Sequence, residues 1–185
     1  MPEHLAWERM SRTDFNAHTI AEFRRNHGRV GGYFKGAPLL LLHTIGARSG
    51  KPRINPVMYL QDGKRYLVFA SKGGADTNPD WYYNLKAHPD IQIEVGDETI
   101  EVHADEIVGA ERNNLFKRQA TLYPAFAGYQ RQTKRTIPVI ALTRTSGNPD
   151  DAFARDRPKI IPKRRSSADS RKVGRGLTSP SSGSP

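Results

Sequence analysis

The stretch Gly46-Ala47-Arg48-Ser49-Gly50-Lys51-Pro52-Arg53 puts three cations and a hydroxyl on a glycine-bounded turn. Such a turn offers backbone N–H groups and positive charge to a phosphate or carboxylate. It differs from an NTP-binding P-loop. Only three residues separate its glycines, Pro52 follows Lys51 where a Ser or Thr is required, and no helical pattern comes next. By itself it reads equally as a basic hairpin turn that solvates its charges. Ser71-Lys72-Gly73-Gly74 leaves a strand-like run ending at Ala70. Its glycines allow close approach of backbone to a ligand, or simply a mobile loop. Asn78-Pro79-Asp80-Trp81-Tyr82-Tyr83-Asn84 sets Trp81 and Asn84 three apart, on one helical face, as an aromatic plane beside an amide. Core anchoring of Trp81 is the competing reading. Tyr123, Phe126 and Tyr129 are also spaced by three, forming a ridge that suits either a flat substrate or plain packing.

Several chemistries are excluded or weakened. The chain has no cysteine, so thiolate metal sites, disulfides and a Cys nucleophile are absent. Its six histidines, at 4, 18, 27, 43, 88 and 103, include no i, i+4 pair, so no metal site is expected. There is no G-x-S-x-G elbow, and Gly28, Gly31 and Gly32 do not have dinucleotide-fingerprint spacing.

These segments need a scaffold, and the pattern supplies one. Asp14 is expected to cap a helix carrying Phe15, Ile20 and Phe23, stopped at Gly28. Strands are expected at 38–45, 54–60 (bent at Asn55-Pro56), 66–70, 91–95, 99–104 and 137–142. Asp62-Gly63 and Gly96-Asp97 mark hairpin turns between them. Short helices are expected from Pro79 to His88 and around Glu111, Leu115 and Phe116. Six hairpin-linked strands with few helices predict a mainly β fold, a small barrel with flanking helices.

With 185 residues, the chain suits one domain and an appendage. We expect an arm over 1–13, the barrel domain over 14–147 and a tail over 148–185. From Arg155 onward nine Lys/Arg face two Asp, so +7 of the net +10 lies there and the body carries only +3. The tail is Arg-, Ser-, Pro- and Gly-rich and reads as disordered. Lys163-Arg164-Arg165 could contact anionic lipid or nucleic acid weakly. No signal peptide is evident, and the longest apolar run, Ala37 to Leu42, is too short to span a bilayer. A cytoplasmic protein is expected, with peripheral contact to the inner face of the cell membrane as an option of the tail.

The ordered set resembles one family. Phe15-Asn16, Glu22-Phe23-Arg24, Leu39 to Leu42 running into Thr44-Ile45-Gly46-Ala47-Arg48-Ser49-Gly50, Asn55-Pro56, Ala70 to Gly74, Asn78-Pro79 with Trp81-Tyr82, Ala87-His88-Pro89, Tyr123-Pro124, Tyr129-Gln130 and Arg135 to Val139 resemble the deazaflavin (F420)-dependent nitroreductase family. The match runs from about Phe15 to Leu142. The resemblance implies a split β-barrel of the FMN-binding-like kind, and a monomer. It implies coenzyme F420, whose reduced form gives a hydride to a quinone, nitroaromatic or activated alkene. The cofactor-binding residues it implies are Arg48, Ser49, Gly50, Lys51, Arg53, Asn55, Pro56, Met58, Ala70, Ser71, Lys72, Gly73, Gly74, Trp81 and Asn84. Met58, Ser71, Tyr123, Phe126 and Tyr129 would meet the substrate, with Ser71, Tyr123 and Tyr129 in catalytic roles. A nitroreducing relative carries tyrosines where this chain has Met58 and Phe126, which removes two phenols. An FMN-dependent reductase on the same barrel and a non-catalytic F420 carrier are the alternatives.

Overall fold

The structure is a computed structural model that describes residues 10–145. Residues 1–9 of the expected arm and the whole expected tail lie outside the described residues. Helix α1 (Arg12–Arg25) leads to a 3₁₀ turn (Gly32–Phe34) and then to β1 (Leu39–Ile45), β2 (Pro52–Asp62) and β3 (Arg65–Phe69). After α2 (Asp80–Ala87) come β4 (Asp90–Val95) and β5 (Glu98–Ile107). Helices α3 (Gly109–Leu122) and α4 (Ala125–Gln132) precede β6 (Val139–Arg144). The six strands close in the order β1-β2-β3-β6-β5-β4, and every pairing is antiparallel. The split-barrel expectation is met.

Strand alternation sorts the apolar residues into an inside and an outside. Leu40, Leu42, Val68, Ile91, Ile93, Ile100, Val102, Ile140 and Leu142 form one buried cluster, with Trp81 and Leu85 of α2 seated on it. The opposite faces of β3 and β6, through Leu67, Phe69, Val139 and Ala141, bury against Leu115 and Phe116 of α3 and Phe126 of α4. Leu39 and Leu41 bury against Phe23 of α1. Each fully buried Leu, Ile or Phe contributes about 1.5–3 kcal/mol of transfer free energy.

Two local expectations need correction. The cap of α1 is Ser11, whose Oγ accepts the Asp14 N–H at 3.2 Å; Asp14 sits inside the first turn. The stop at Gly28 holds: past the C-cap Asn26, Gly28 (φ +87°) donates its N–H back to Phe23 O at 2.8 Å and closes the helix end. β2 is longer than expected, Pro52–Asp62 instead of 54–60: Pro56 pairs with Leu41 of β1, and pairing with β3 starts only at Tyr59. Over that stretch β2 has one neighbour, where a residue lacking N–H is tolerated.

Candidate functional site

The turn between β1 and β2 is closed by its own backbone. Gly46 N–H donates to Lys51 O at 2.9 Å, and Gly50 N–H to Gly46 O at 2.8 Å. Gly50 adopts φ +63°, open to glycine at little cost. Lys51 N–H donates to Ser49 Oγ at 3.3 Å. A second element fixes the turn from outside. Asn84 of α2, 6% exposed, accepts the Ala47 N–H at 2.9 Å and donates to Thr44 Oγ1 at 3.0 Å. Its amide is therefore spent on the protein, as a strut under the turn. The N–H groups of Arg48 and Ser49 are the two in the turn that have no acceptor among the described residues.

Gly46, Ala47, Arg48, Ser49, Arg53, Asn55, Asp80, Tyr83 and Asn84 line a groove of about 510 Å³. Arg53 and Asn55 reach it because residues two apart on β2 share a face. Neither Arg48 nor Arg53 forms an ion pair among the described residues, and the sole side-chain hydrogen bond of Arg53 among them is a 3.5 Å contact to Pro52 O. Two unpaired guanidinium groups beside two unused amides form a site for a phosphate or carboxylate. Tyr83 and Asp80 join the groove beyond the residues expected from the sequence. Their signal is helical spacing, since Asp80, Tyr83 and Asn84 stand at i, i+3 and i+4.

Other expected cofactor residues lie elsewhere. Gly50 and Lys51 are exposed beside the groove. Trp81 and Ala70 are 8% and 0% exposed and pack into the barrel interior, so neither walls the groove. Period two turns Pro56 and Met58 away from the face of Arg53. Met58 packs between the outer clusters, touching the side of α1 and the side of α3 and α4.

The loop 71–74 is held by the segment before β6. Arg135 donates from Nε to Ala75 O at 2.8 Å, from Nη1 to Asn78 Oδ1 at 2.5 Å and from Nη2 to Ser71 O at 2.8 Å. Burial holds this guanidinium below its ordinary pKa. Lys72 has φ +48° and donates its Nζ to Thr77 Oγ1 at 2.9 Å and Asn78 O at 3.5 Å. Its charge is thereby tied to the loop itself. Gly73 (φ +63°) is exposed, whereas Gly74 (φ +85°) is buried against α4. A Cβ there would sit 2.5 Å from Gln132 Oε1 and 3.1 Å from Tyr129 Cα. Loop and α4 thus fit each other only because residue 74 lacks a side chain.

The aromatic ridge is real and sits on the outer face. Tyr123, Phe126 and Tyr129 share one cluster with Met58, Phe69 and Phe116, with Phe126 edge-on to Phe69 at 5.7 Å and to Tyr129 at 5.5 Å. Phe126 is 7% exposed and mainly packs, while Tyr123 and Tyr129 are half-buried. The Tyr129 hydroxyl lies 3.3 Å from that of Tyr33, on the 3₁₀ turn. This contact first, and burial second, push the Tyr129 phenol up to about 12. Behind the ridge, Arg112 of α3 donates to Ile137 O at 3.0 and 2.6 Å and to Gln130 Oε1 at 2.9 Å, lying 4.3 Å over the Phe116 ring. Among the described residues there is no group of three or more metal-ligating side chains, and no helix is long and apolar enough to cross a membrane.

Residues 16–144 match the family described as F420H(2)-dependent quinone reductase. An F420H(2)-dependent quinone reductase of Mycobacterium tuberculosis (strain H37Rv) is 40% identical over 131 residues, covering 67% of this chain and 86% of that protein. Among solved structures, an F420-H2 dependent reductase is 40% identical with a TM-score of 0.52, covering 57% of this chain and 93% of that one. Another, described as a domain-swapped dimer, is 36% identical with a TM-score of 0.54, covering 68% and 92%.

Proposed function

The chain belongs to the F420H(2)-dependent quinone reductase family, and on that premise we propose that it reduces a quinone with F420H2 held by the groove at residues 46–55. When bound, reduced F420 supplies the hydride. The observation that carries the reading is the pair of unpaired guanidinium groups, Arg48 and Arg53, on a groove of about 510 Å³. F420 bears a phosphate and a glutamate tail, so its anionic end matches that charge. Arg48 and Arg53 neutralise it, the Arg48 and Ser49 amides donate to it, and Asn84 keeps those donors in place. Tyr83 lends the groove an aromatic wall.

The substrate side falls to the outer face. Met58 and Tyr123, backed by the buried Phe126, give an apolar, aromatic surface suited to a flat ring. Ser71 and Tyr129 supply hydroxyl donors for the oxygens of a quinone, whose reduction concentrates negative charge there. A nitro group gains less from this wall, because Met58 and Phe126 provide no hydroxyl. Loop 71–74, braced by Arg135, packs against α4 on this substrate side.

Fluorescence titration of the purified protein with F420, followed by F420H2 oxidation on adding a short-chain quinone, tests the reading. Binding at micromolar concentration with quinone-dependent turnover is expected. No binding, or FMN displacing F420 from the site, overturns it; binding without turnover across quinones and nitro compounds makes the protein a carrier.

A further inference from the structure

The segment joining α1 to β1 is pinned at both ends and reaches out in the middle. Gly31 N–H donates to Glu22 Oε1 at 2.9 Å, and Pro38 O accepts the Tyr59 N–H at 3.1 Å. Between these points Gly32 (φ +53°) and Gly36 (φ +76°) bend the chain through conformations that favour glycine. The bend sets Phe34 inward, packed with Met58 around the α1 cluster. It sets Tyr33 outward, 68% exposed, with its ring edge-on to Phe34 at 5.0 Å and to Phe15 at 6.4 Å. The one side-chain hydrogen bond of Tyr33 among the described residues is with the hydroxyl of Tyr129, across 96 residues of sequence.

Tyr129 therefore stands between two things. Its backbone abuts Gly74, at the end of the loop that begins with Ser71. Its hydroxyl meets a second phenol that is open to solvent. A half-buried hydroxyl facing a substrate can give up a proton once; to do so every turnover it needs a route for refilling.

We infer that Tyr33 is a positioning residue that orients the Tyr129 hydroxyl toward the substrate oxygen and passes it a proton from solvent. This rests on the quinone-reductase reading above. The step balances as follows. Quinone takes two electrons and two protons to become hydroquinone. One hydrogen arrives with the electron pair as hydride from the reduced deazaflavin, which is oxidised. The other arrives as a proton from Tyr129 Oη, breaking that O–H bond and forming one on the quinone oxygen. Tyr129 phenolate recovers a proton from Tyr33, and Tyr33 from water.

The test is Tyr33→Phe, which keeps the exposed ring and deletes only the hydroxyl. Two readouts are taken. In the cofactor-free protein, the phenol of Tyr129 is titrated by NMR with ring-labelled tyrosine, using Tyr129→Phe to assign it. Its pKa is expected to fall from about 12 toward the usual tyrosine value. In turnover, kcat is expected to fall about tenfold, the scale of one neutral hydrogen bond, with a changed solvent isotope effect. KM for quinone and F420 affinity stay as in the wild type. Unchanged Tyr129 titration, or unchanged kcat with an unchanged isotope effect, overturns the relay. So does a rise in KM alone, which would make Tyr33 a mere latch. Wild-type failure to turn over quinone would instead strike the functional reading, and the titration still reads the hydroxyl contact.

Discussion

Asn84 Oδ1 receives the Ala47 amide at 2.9 Å, so a buried helix residue sets the backbone of the turn that carries Arg48 and Ser49. Its Nδ2 holds Thr44 at the end of β1 as well. Asn84→Ala leaves the buried Thr44 hydroxyl and the Ala47 amide without these partners. We expect a loss of about 1–3 kcal/mol in stability, read by urea unfolding, together with weaker F420 binding. Full F420 affinity in the variant would show that the turn holds its shape unaided.

Arg53 and Lys51 are two residues apart but differ in what they face. Arg53 lines the groove, while Lys51 stands exposed beside it. Arg53→Ala is expected to weaken F420 by about 1.5–3 kcal/mol, as for a lost charged hydrogen bond. Lys51→Ala should change affinity little, and what it does change should vanish as salt is raised. Equal losses from both would mean that affinity follows net charge and not the groove.

Gly74→Ala places a methyl against Gln132 and the Tyr129 backbone at a φ of +85°. The αL conformation alone costs about 1–2 kcal/mol for a residue with a side chain, and the clash adds to it. Thermal unfolding should show a lower midpoint, and quinone turnover should drop more than F420 affinity because Tyr129 is displaced. Gly73→Ala provides the contrast: it carries only the backbone term, since its Cβ would meet nothing within 4 Å.

Glu94 ties β4 to α1 and β1. It takes Arg24 Nε at 3.0 Å and lies 2.7 Å from His43 Nε2, and the Arg24 hydrogen bond leads the causes that hold its carboxyl below the ordinary value. A carboxylate depressed on folding adds stability above its unfolded pKa of about 4.3, and that stability is lost as pH falls through the lower folded value. Glu94→Gln should therefore unfold at lower urea than wild type at about pH 7, with the gap closing as pH falls below the ordinary carboxylate range. Arg24 is half exposed, so we expect a modest difference of about 1 kcal/mol. A gap constant with pH would show that Glu94 acts through packing.

Much of this layout was legible in the chain. Gly46 to Arg53 announced a basic turn because its glycines and cations are consecutive, and Tyr123, Phe126 and Tyr129 announced a ridge because helical spacing is local. What could not be read are jobs assigned across the fold. Asn84 looked like a ligand-binding amide, yet its partners lie 37 and 40 residues away and consume both its ends. Trp81 looked like a groove wall, but α2 turns it onto the barrel interior. Met58 reads as a neighbour of Arg53 on one strand, but five positions along it put the two on opposite faces. Arg135 figured only as part of a motif; its three hydrogen bonds to residues 71–78 appear once β6 has brought it there.

β6, the last strand described, lies between β3 and β5. While the chain is being synthesised, both of those neighbours must wait with an unsatisfied backbone edge until residues 139–144 have emerged. Such edges are sticky toward other chains. The barrel's closing piece is thus also the point at which a nascent molecule stops being vulnerable to its siblings, and slow passage of the ribosome before codon 139 would lengthen that exposure.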